Sequence, residues 1–539
     1  MPSREELQRR DEEELSKLGY TQQLLREMGG FSNFAISFSV ISILTGAVLL
    51  FGYGLKFAGP IINTAGWPIV SLFTLVVAAS MAELASLYPT AGGLYFWAFR
   101  LGGRGPAFTT AWLNMVGQVT ITAGIDIAAA IYLIGTATRL LGLPPDAKLP
   151  VFGAVTGWSF QLFAMVLIMI PQVAINVFGI RWTARLNDFS VWWHIAGGAL
   201  IVLLLVFLGT HHNRRDFLTR YAPAVTPLQA SSAPLSGGRV APAVVVGSRA
   251  FPSPLFALFP SLAAFYAAGP FALAFVLGLL QAQWTYTGYD ASAHVAEETV
   301  MAKLNSAWGV FLSVAVSAVF GWILLLVLTW CIPDGDVVRT AADPYPVLYI
   351  VDHNLPRPLA NAVAIVIGGA MWLCGLSSIT SMGRMWYAFA RDGGMPGSRL
   401  LRRIHPRWRT PVPAILVSAA LAVAICVYAA AVPVVTSIST IALYLAYGLP
   451  ILLNLRNRLR GRGVFATPEN APWNLGRFAP LANGVAVAWV AFIAVVFCLP
   501  PNELVLWTML LFGVLLGIYW LTSARRTFRG PAGGVDRAS

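Results

Sequence analysis

Two polar segments that contain glycine interrupt apolar stretches long enough to cross a membrane. The first reads Ser42-Ile43-Leu44-Thr45-Gly46, and the second reads Thr285-Tyr286-Thr287-Gly288-Tyr289-Asp290. A helix broken within lipid leaves backbone groups unpaired, which is tolerated where those groups line a cavity. Paired breaks in two halves of a chain indicate a transporter's binding site. The alternative is that the small residues only let helices pack closely.

The two breaks offer different chemistry. Half-helix ends around Ser42 to Gly46 present free N–H groups, which suit a carboxylate. The second break follows Trp284 and holds Tyr286 and Tyr289. These aromatic rings could form a wall that attracts an ammonium group, or they could serve only for packing.

Ionisable and amide side chains within apolar stretches form a second set of candidates, because such residues are costly in a membrane and usually functional. Asp290 could pair with a cationic group, lie near an inner vestibule or cap the next half-helix, and capping is favoured because Asp is a good N-cap. His194 is either hydrogen-bonded structure or a proton carrier. Asn114 and Gln118 are four residues apart and share one helix face, and Asp126 follows on the same span. We assign proton coupling to His194 and Asp290, and substrate contact to Asn114 and Gln118.

Charged residues gather at the predicted inner ends of several spans. Glu83 lies near the inner end of the second span, Glu297 and Glu298 follow the sixth, and Arg384 and Arg391 end the eighth. We interpret Glu83, Glu297, Arg384 and Arg391 as an inner gate. The alternative is ordinary topology charge with surface pairs of little energetic value.

Composition indicates one polytopic helical membrane domain. Of 539 residues, 57% are hydrophobic and 11% are charged, whereas soluble domains average about 25% charged residues. The net charge of +13 fits the positive-inside rule better than a nucleic-acid surface. The four cysteines form no CxxC pair, the few histidines are scattered, and common hydrolase, metalloprotease and nucleotide-binding motifs are absent from the sequence. We therefore expect no metal, no cofactor and no nucleic-acid partner.

Hydropathy predicts twelve spans within a transporter domain covering 34–523. The spans are 34–58, 66–88, 106–134, 151–177, 186–209, 270–293, 306–332, 359–389, 411–431, 434–454, 480–499 and 503–523. Residues 1–33 and 524–539 are predicted as cytoplasmic ends, and 210–269 as a long extracellular connection. In this arrangement the cytoplasmic segments, counted with Arg384 at the inner end of the eighth span, hold 26 Lys and Arg residues, and the short outer loops hold four. That bias favours both termini inside.

Four stretches make the chain resemble the amino acid–polyamine–organocation superfamily, with closest resemblance to the amino acid/choline permeases, which include GABA permeases. The stretches are FSNFAISFS with SILTG, ELASLYPTAGGLYFWAF, WTYTGYDASAHVAEET and RMWYAFARDGGMP. The resemblance implies an all-α membrane fold with two inverted five-helix repeats, discontinuous helices 1 and 6, and two peripheral helices.

The resemblance also implies roles for the broken segments. A substrate carboxylate would meet the backbone around Ser42 to Gly46, and its amine would meet the opened sixth helix around Thr285 to Gly288. Sodium-independent relatives often carry a Lys in the fifth helix where this chain has His194. His194 would then take a proton from outside and release it inside.

Together these observations predict a secondary transporter, not an enzyme, for amino acids or related compounds such as GABA, with proton coupling as the default. A choline or polyamine carrier is the nearest alternative, and a channel or receptor is an alternative of a different class. The expected location is the cell membrane. The sequence leaves the substrate, the direction of flux, the oligomeric state and the role of 210–269 open.

Overall fold

A computed structural model describes residues 3–144, 147–224, 229–234, 240–246, 249–269, 271–428 and 432–531. Parts of the predicted 210–269 connection, of the predicted 411–431 span and of the 524–539 tail lie outside these described residues.

Helices dominate the described chain. The first half holds α1 (Arg4–Lys17), α2 (Gly30–Ile41), α3 (Gly46–Leu49), α4 (Phe51–Ala58), α5 (Trp67–Leu87), α6 (Leu94–Gly102), α7 (Arg104–Leu141), α8 (Trp158–Phe178), α9 (Ile180–Leu208), α10 (Pro254–Leu258) and α11 (Pro260–Ala267). The second half holds α12 (Phe271–Gly278), α13 (Leu280–Thr285), α14 (Ala291–His294), α15 (Ala302–Trp330), α16 (Val337–Ala342), α17 (Pro346–Asn354), α18 (Arg357–Arg391), α19 (Ser398–Leu401), α20 (Val412–Tyr428), α21 (Val432–Leu459), α22 (Ala479–Val496), α23 (Glu503–Tyr519) and α24 (Arg525–Thr527).

Within the described ranges, ten helical segments are long and apolar enough to cross a membrane. They comprise α2 with α3, α5, α7, α8, α9, α15, α18, α21, α22 and α23. A helix pair bent by 92°, from Pro260 to Thr285, would make eleven. The predicted ninth span is α20, which has 17 residues where a straight crossing needs about 20. The molecule is thus an integral membrane protein with ten or eleven such segments, and the prediction of twelve is not confirmed.

The long helix α7 lies at the centre of the bundle. It packs against α18 and α21, and also against α6, α8 and α20. Its side chains are buried along most of its length, including the polar face of Asn114, Gln118 and Thr122. By contrast, α23 buries only Glu503 and Val505 and turns its other apolar residues outward, as expected of a helix at the lipid boundary. Residues of α7 are therefore placed to meet both broken helices.

The predicted connection 210–269 contains secondary structure of its own. Three antiparallel strands, β3 (Gln229–Pro234), β4 (Val240–Val246) and β5 (Arg249–Pro252), form a sheet in the order β3-β4-β5, with Val244 opposite Phe251. A separate two-residue pair, β1 (Lys148–Leu149) and β2 (Gly153–Ala154), precedes α8. The Glu503 carboxylate at the start of α23 accepts from the Leu255 amide at 3.0 Å, which anchors the end of the connection.

Candidate functional site

The first predicted break is a turn between α2 and α3. Ser42 has a φ of 33°, a left-handed conformation that is uncommon for a residue other than glycine. The amides of Thr45 and Gly46 donate back to the Ser42 carbonyl, at 2.8 and 3.0 Å. The amides of Ile43 and Leu44 have no hydrogen-bond acceptor among the described residues. Two adjacent N–H groups in the turn are therefore free to bind an acceptor.

The second break separates α13 from α14. Gly288 has a φ of 85°, a value that glycine adopts without strain. Its amide donates to the Tyr447 hydroxyl at 3.0 Å, and the Tyr286 carbonyl accepts from the Tyr444 hydroxyl at 2.7 Å. Two tyrosines of α21 therefore hold the unwound segment open by satisfying its backbone.

The two breaks touch each other. A Cβ atom placed on Gly46 would lie 2.5 Å from the Oγ1 of Thr285 and 2.8 Å from its Cα. Contacts between real atoms do not become that short, so only glycine fits at position 46. The start of α3 and the end of α13 are thus in direct contact.

A small cavity lies where the breaks meet α7. Its lining consists of Val40, Ile41, Thr45, Gly46, Ile121, Ile125, Trp284, Thr285 and Thr287. Five of these nine were predicted as substrate-binding residues. The other four are apolar residues of α2 and α7 that were not predicted. Ile121 and Ile125 are four residues apart and lie next to the polar face of α7, so their positions in the sequence could have indicated them. No lining side chain is charged.

Most of the other predicted substrate-binding residues lie behind this lining. Ser42, Ile43 and Leu44 form the turn itself. The Tyr286 hydroxyl is 2.6 Å from Ser71 Oγ, and its ring packs against Trp67. The Tyr289 ring packs on Tyr447 at 4.9 Å between centroids. Of the three predicted wall aromatics, only Trp284 lines the cavity, so the predicted aromatic wall is not assembled here.

His194 contacts the first break. Its Nδ1 lies 2.7 Å from the Ser190 carbonyl, which can only accept, so Nδ1 carries the hydrogen and Nε2 is the acceptor. Ser42 Oγ lies 2.7 Å from Nε2 and donates to it. Thr45 Oγ1, at the cavity, lies 2.6 Å from Ser42 Oγ and donates in turn. A chain of hydroxyls therefore connects the cavity to a fully buried imidazole.

Asp290 is the centre of a second buried network. It occupies the N-cap position of α14, but its side chain makes no capping hydrogen bond, so the favoured capping role is wrong. Oδ2 accepts from Asn114 at 2.9 Å and from Gln118 at 3.1 Å, and Oδ1 accepts from Tyr447 at 2.9 Å. Both amides predicted to touch substrate are thus directed at Asp290 and do not line the cavity.

His294 belongs to the same network and was not among the predicted residues. Its Nε2 lies 3.1 Å from Asp290 Oδ2, and its Nδ1 lies 3.1 Å from the Ala91 carbonyl. Both side chains are fully buried. The signal in the sequence was the spacing of four residues between Asp290 and His294, which places them on one helix face.

Three of the four predicted gate residues meet on the face that carries the N-terminal segment, which we call the N-terminal face. Arg391 forms two hydrogen bonds of 2.9 Å with Glu297, and Arg384 contacts Glu298 at 2.9 and 3.2 Å. Burial alone would raise the pKa of Glu297, but the neighbouring Arg391 guanidinium and the Ala91 amide hold it below its ordinary value.

Glu83, the fourth predicted gate residue, lies in a different cluster. Its carboxylate accepts from Arg458 at 2.9 Å and from the Leu475 amide at 3.0 Å. These contacts connect α5 to the end of α21 and to the loop that follows. Glu83 is therefore not joined to the Glu297 and Arg391 pair.

The segment before α2 covers the two gate ion pairs. Arg26 donates to the carbonyls of Ala296 and Thr299, and Tyr20 donates to Asp392 at 2.7 Å. The Arg391 guanidinium lies 3.9 Å from the centre of the Tyr20 ring. Desolvation raises the pKa of Asp392, although Arg391 opposes that change. The N-terminal segment is therefore part of the closed N-terminal face.

Comparison with known proteins gives a consistent result across the chain. The family profile described as amino acid permease matches residues 28–520. The chain is 31% identical to the amino-acid permease BAT1 of Arabidopsis thaliana, over 97% of this chain and 96% of that relative. It is 32% identical to a BAT1 homolog of Oryza sativa, over 97% and 95%. It is 27% identical to the GABA-specific permease of Saccharomyces cerevisiae, over 97% and 86%.

Proposed function

The chain belongs to the amino acid permease family, and we propose that it carries amino acids or related compounds such as GABA, by alternating access and in symport with protons. The main support is one juxtaposition: two unwound helix segments meet at one cavity, and the turn beside it has two backbone amides, of Ile43 and Leu44, with no acceptor among the described residues. The family assignment makes the chain a transporter and not an enzyme. Substrate and coupling ion are the proposed parts.

The substrate's charged ends would be bound by backbone rather than by charged side chains. The free amides of Ile43 and Leu44 suit a carboxylate, and the C-terminal end of α13 at Thr285 offers carbonyl groups to an amine. No side chain lining the cavity is charged. A zwitterion with no net charge therefore fits better than a cationic or anionic amino acid.

A choline or polyamine carrier has less support. Such substrates lack a carboxylate and would depend on aromatic rings and on Asp290. Two of the three candidate rings pack away from the cavity, and Asp290 is already bound by Asn114, Gln118 and Tyr447. A channel is also less favoured, because two unwound segments of one chain that meet at one cavity are typical of a transporter's binding site.

His194 is the proposed proton carrier at the substrate site. The hydroxyls of Thr45 and Ser42 connect its Nε2 to the cavity, so protonation of the imidazole would reverse the direction of donation along that chain. Substrate bound at Thr45 would then sense the protonation state of His194. This is a physical route by which proton and substrate binding can influence each other.

The proposed orientation places both termini in the cytoplasm of a cell-membrane protein. The support is the excess of Lys and Arg in the segments that would face inward, 26 against four in the short outer loops. The N-terminal face, with its two buried ion pairs, would then be the cytoplasmic face.

Uptake into proteoliposomes with an imposed inward proton gradient tests the proposal. The panel contains labelled neutral, cationic and anionic amino acids, GABA, choline and a polyamine. We expect one or more neutral zwitterions to accumulate and the accumulation to collapse with a protonophore. Accumulation of choline or a polyamine alone would contradict the amino-acid assignment, and accumulation insensitive to the protonophore would contradict proton coupling.

A further inference from the structure

We propose, building on the proposed proton-coupled transport, that Asp290 and His294 form a proton-binding latch that keeps the N-terminal face closed until the proton leaves. The pair lies on the half-helix after the second break, apart from His194. It binds a proton and not substrate, because neither residue lines the cavity.

The geometry of His294 fixes the number of protons that the pair must hold. The Ala91 carbonyl can only accept, so Nδ1 must carry a hydrogen. At Nε2, a hydrogen bond to Asp290 requires either a second N–H or a protonated carboxyl. Both arrangements contain one proton more than a neutral imidazole beside a carboxylate. The closed structure is therefore the protonated form of the pair.

The surroundings favour the imidazolium–carboxylate form of this protonated pair. Asn114, Gln118 and Tyr447 all donate to the Asp290 carboxylate, and each donor stabilises its negative charge. The elements around the pair carry further titratable and charged groups. They are Tyr447 of α21, Tyr289 of the break, Tyr95 of α6 with Asp392, Glu297 with Arg391, Glu298 with Arg384, Lys303 with Glu14, and Arg26 of the N-terminal segment.

The latch fastens the turn that follows α5. The Ala91 carbonyl accepts from His294, and the Ala91 amide donates to the Glu297 carboxylate at 3.1 Å. Two residues of the segment that follows the second break, His294 and Glu297, therefore bind the carbonyl and the amide of the same residue of the turn. A Cβ on Gly93 would lie 3.4 Å from the His294 ring, which indicates close packing.

Loss of the proton weakens one of the two hydrogen bonds to Ala91, the one from His294. A neutral His294 that still donates to Ala91 would point the Nε2 lone pair at a carboxylate oxygen only 3.1 Å away. Two acceptors at that distance repel, so Asp290 and His294 must separate and the contact with Ala91 must weaken. With the N-terminal face in the cytoplasm, proton release to the cytoplasm would then coincide with opening toward the cytoplasm. This order of events couples proton movement to access.

A cysteine placed on the turn reports opening directly. Thr90 is buried, and its hydroxyl has no hydrogen-bond partner among the described residues, so Thr90→Cys is a mild change. In membranes that expose the N-terminal face, we expect a membrane-impermeant thiol reagent to label this cysteine slowly in acid. The labelling rate, divided at each pH by the rate of the same reagent with a free thiol to remove the intrinsic effect of pH on the thiolate, should increase as the pH rises. The chain without Thr90→Cys gives the background from the four native cysteines.

Two variants in the Thr90→Cys background separate the latch from other causes. Asp290→Asn can donate permanently to Nε2 of a neutral His294. The Asn114 Oδ1, which has no partner, can turn to accept from it, and the Gln118 amide, which faces the same atom, must turn in the same way. Labelling of Asp290→Asn should therefore stay slow at every pH, whereas His294→Ala should label fast at every pH. The control is His353→Ala, an exposed histidine on α17, which should retain the parent pH profile.

If Asp290→Asn retains the parent pH profile, the latch is wrong. If His294→Ala fails to fold, the Asp290→Asn result still decides the question. Binding of labelled amino acid to the Thr90→Cys chain tests the proposed function separately. A chain that labels as expected but binds no amino acid would overturn the substrate assignment and retain the latch. A chain that binds amino acid but shows no pH-dependent labelling would overturn the latch and retain the substrate assignment.

Discussion

The Nε2 of His194 lies 2.7 Å from the Oγ of Ser42, the residue at which the first membrane helix ends. Ser42 has a positive φ, which a helical residue does not have, so Ser42 is part of the unwound turn and its hydroxyl contacts the imidazole from there. The proposed proton carrier on α9 is thereby in direct contact with the proposed carboxylate site. A change in the charge of His194 cannot occur without a change in the hydrogen bonding of that turn.

Removing the His194 imidazole should leave substrate movement but abolish its coupling to the proton gradient. We expect His194→Ala to lose protonophore-sensitive accumulation, so that uptake falls to the level of passive equilibration. Counterflow of labelled substrate, which needs no net proton movement, should persist at a reduced rate. His353→Ala, which changes an exposed histidine, should behave like the parent chain. Full proton-driven uptake by His194→Ala would rule out the proposed role.

A side chain at position 46 should push the two breaks apart and thereby weaken substrate binding. Gly46→Ala forces a Cβ into Thr285, and overpacking of this kind costs about 1–3 kcal/mol, equivalent to a loss of affinity between roughly fivefold and roughly 140-fold. Scintillation-proximity binding and uptake KM would measure the change. Gly484→Ala is the matched control, because a Cβ there meets nothing within 4 Å. Equal effects of the two substitutions would show that the contact between breaks is unimportant.

The buried pair of Arg384 and Glu298 should respond differently to single and double substitution. Arg384→Gln leaves a buried carboxylate unpaired, which typically costs about 3–5 kcal/mol. We therefore expect a clear fall in the melting temperature of the purified protein. The double variant Arg384→Gln with Glu298→Gln should recover part of that loss, because no unpaired charge remains. A double variant less stable than either single variant would contradict this account.

The pair of Glu297 and Arg391 should stabilise the fold in a pH-dependent way. Arg391 helps to hold the folded-state pKa of Glu297 below its ordinary value of 4.5. The pair therefore contributes fully above that value, and its contribution is lost as the pH falls through the lowered folded-state pKa. The difference in melting temperature between the parent chain and Arg391→Gln should be largest near neutral pH and shrink in acid. A difference that grows in acid would be the opposite result.

The breaks themselves were predictable from sequence, because glycine and hydroxyl residues within apolar stretches leave a local signal. Both lie where that signal placed them, at residues 42–45 and at residues 286–290. The pairing of Arg391 with Glu297 was also within reach, since both positions fall at the predicted inner ends of spans. The membrane class followed from hydropathy alone. The number of crossings did not, because α20 is shorter than a usual membrane-spanning helix and the segment 260–285 is bent.

Only the tertiary structure decided which polar groups meet. Asn114 and Gln118 share a helix face, as their spacing required, but the packing of α7 against the second break directs them to Asp290 and gives the cavity the apolar side chains of Ile121 and Ile125. Glu83 pairs with Arg458, which lies hundreds of residues away in the chain. Local sequence fixes helix ends and faces because those depend on neighbouring residues. The partner of a buried charge depends on how distant helices pack.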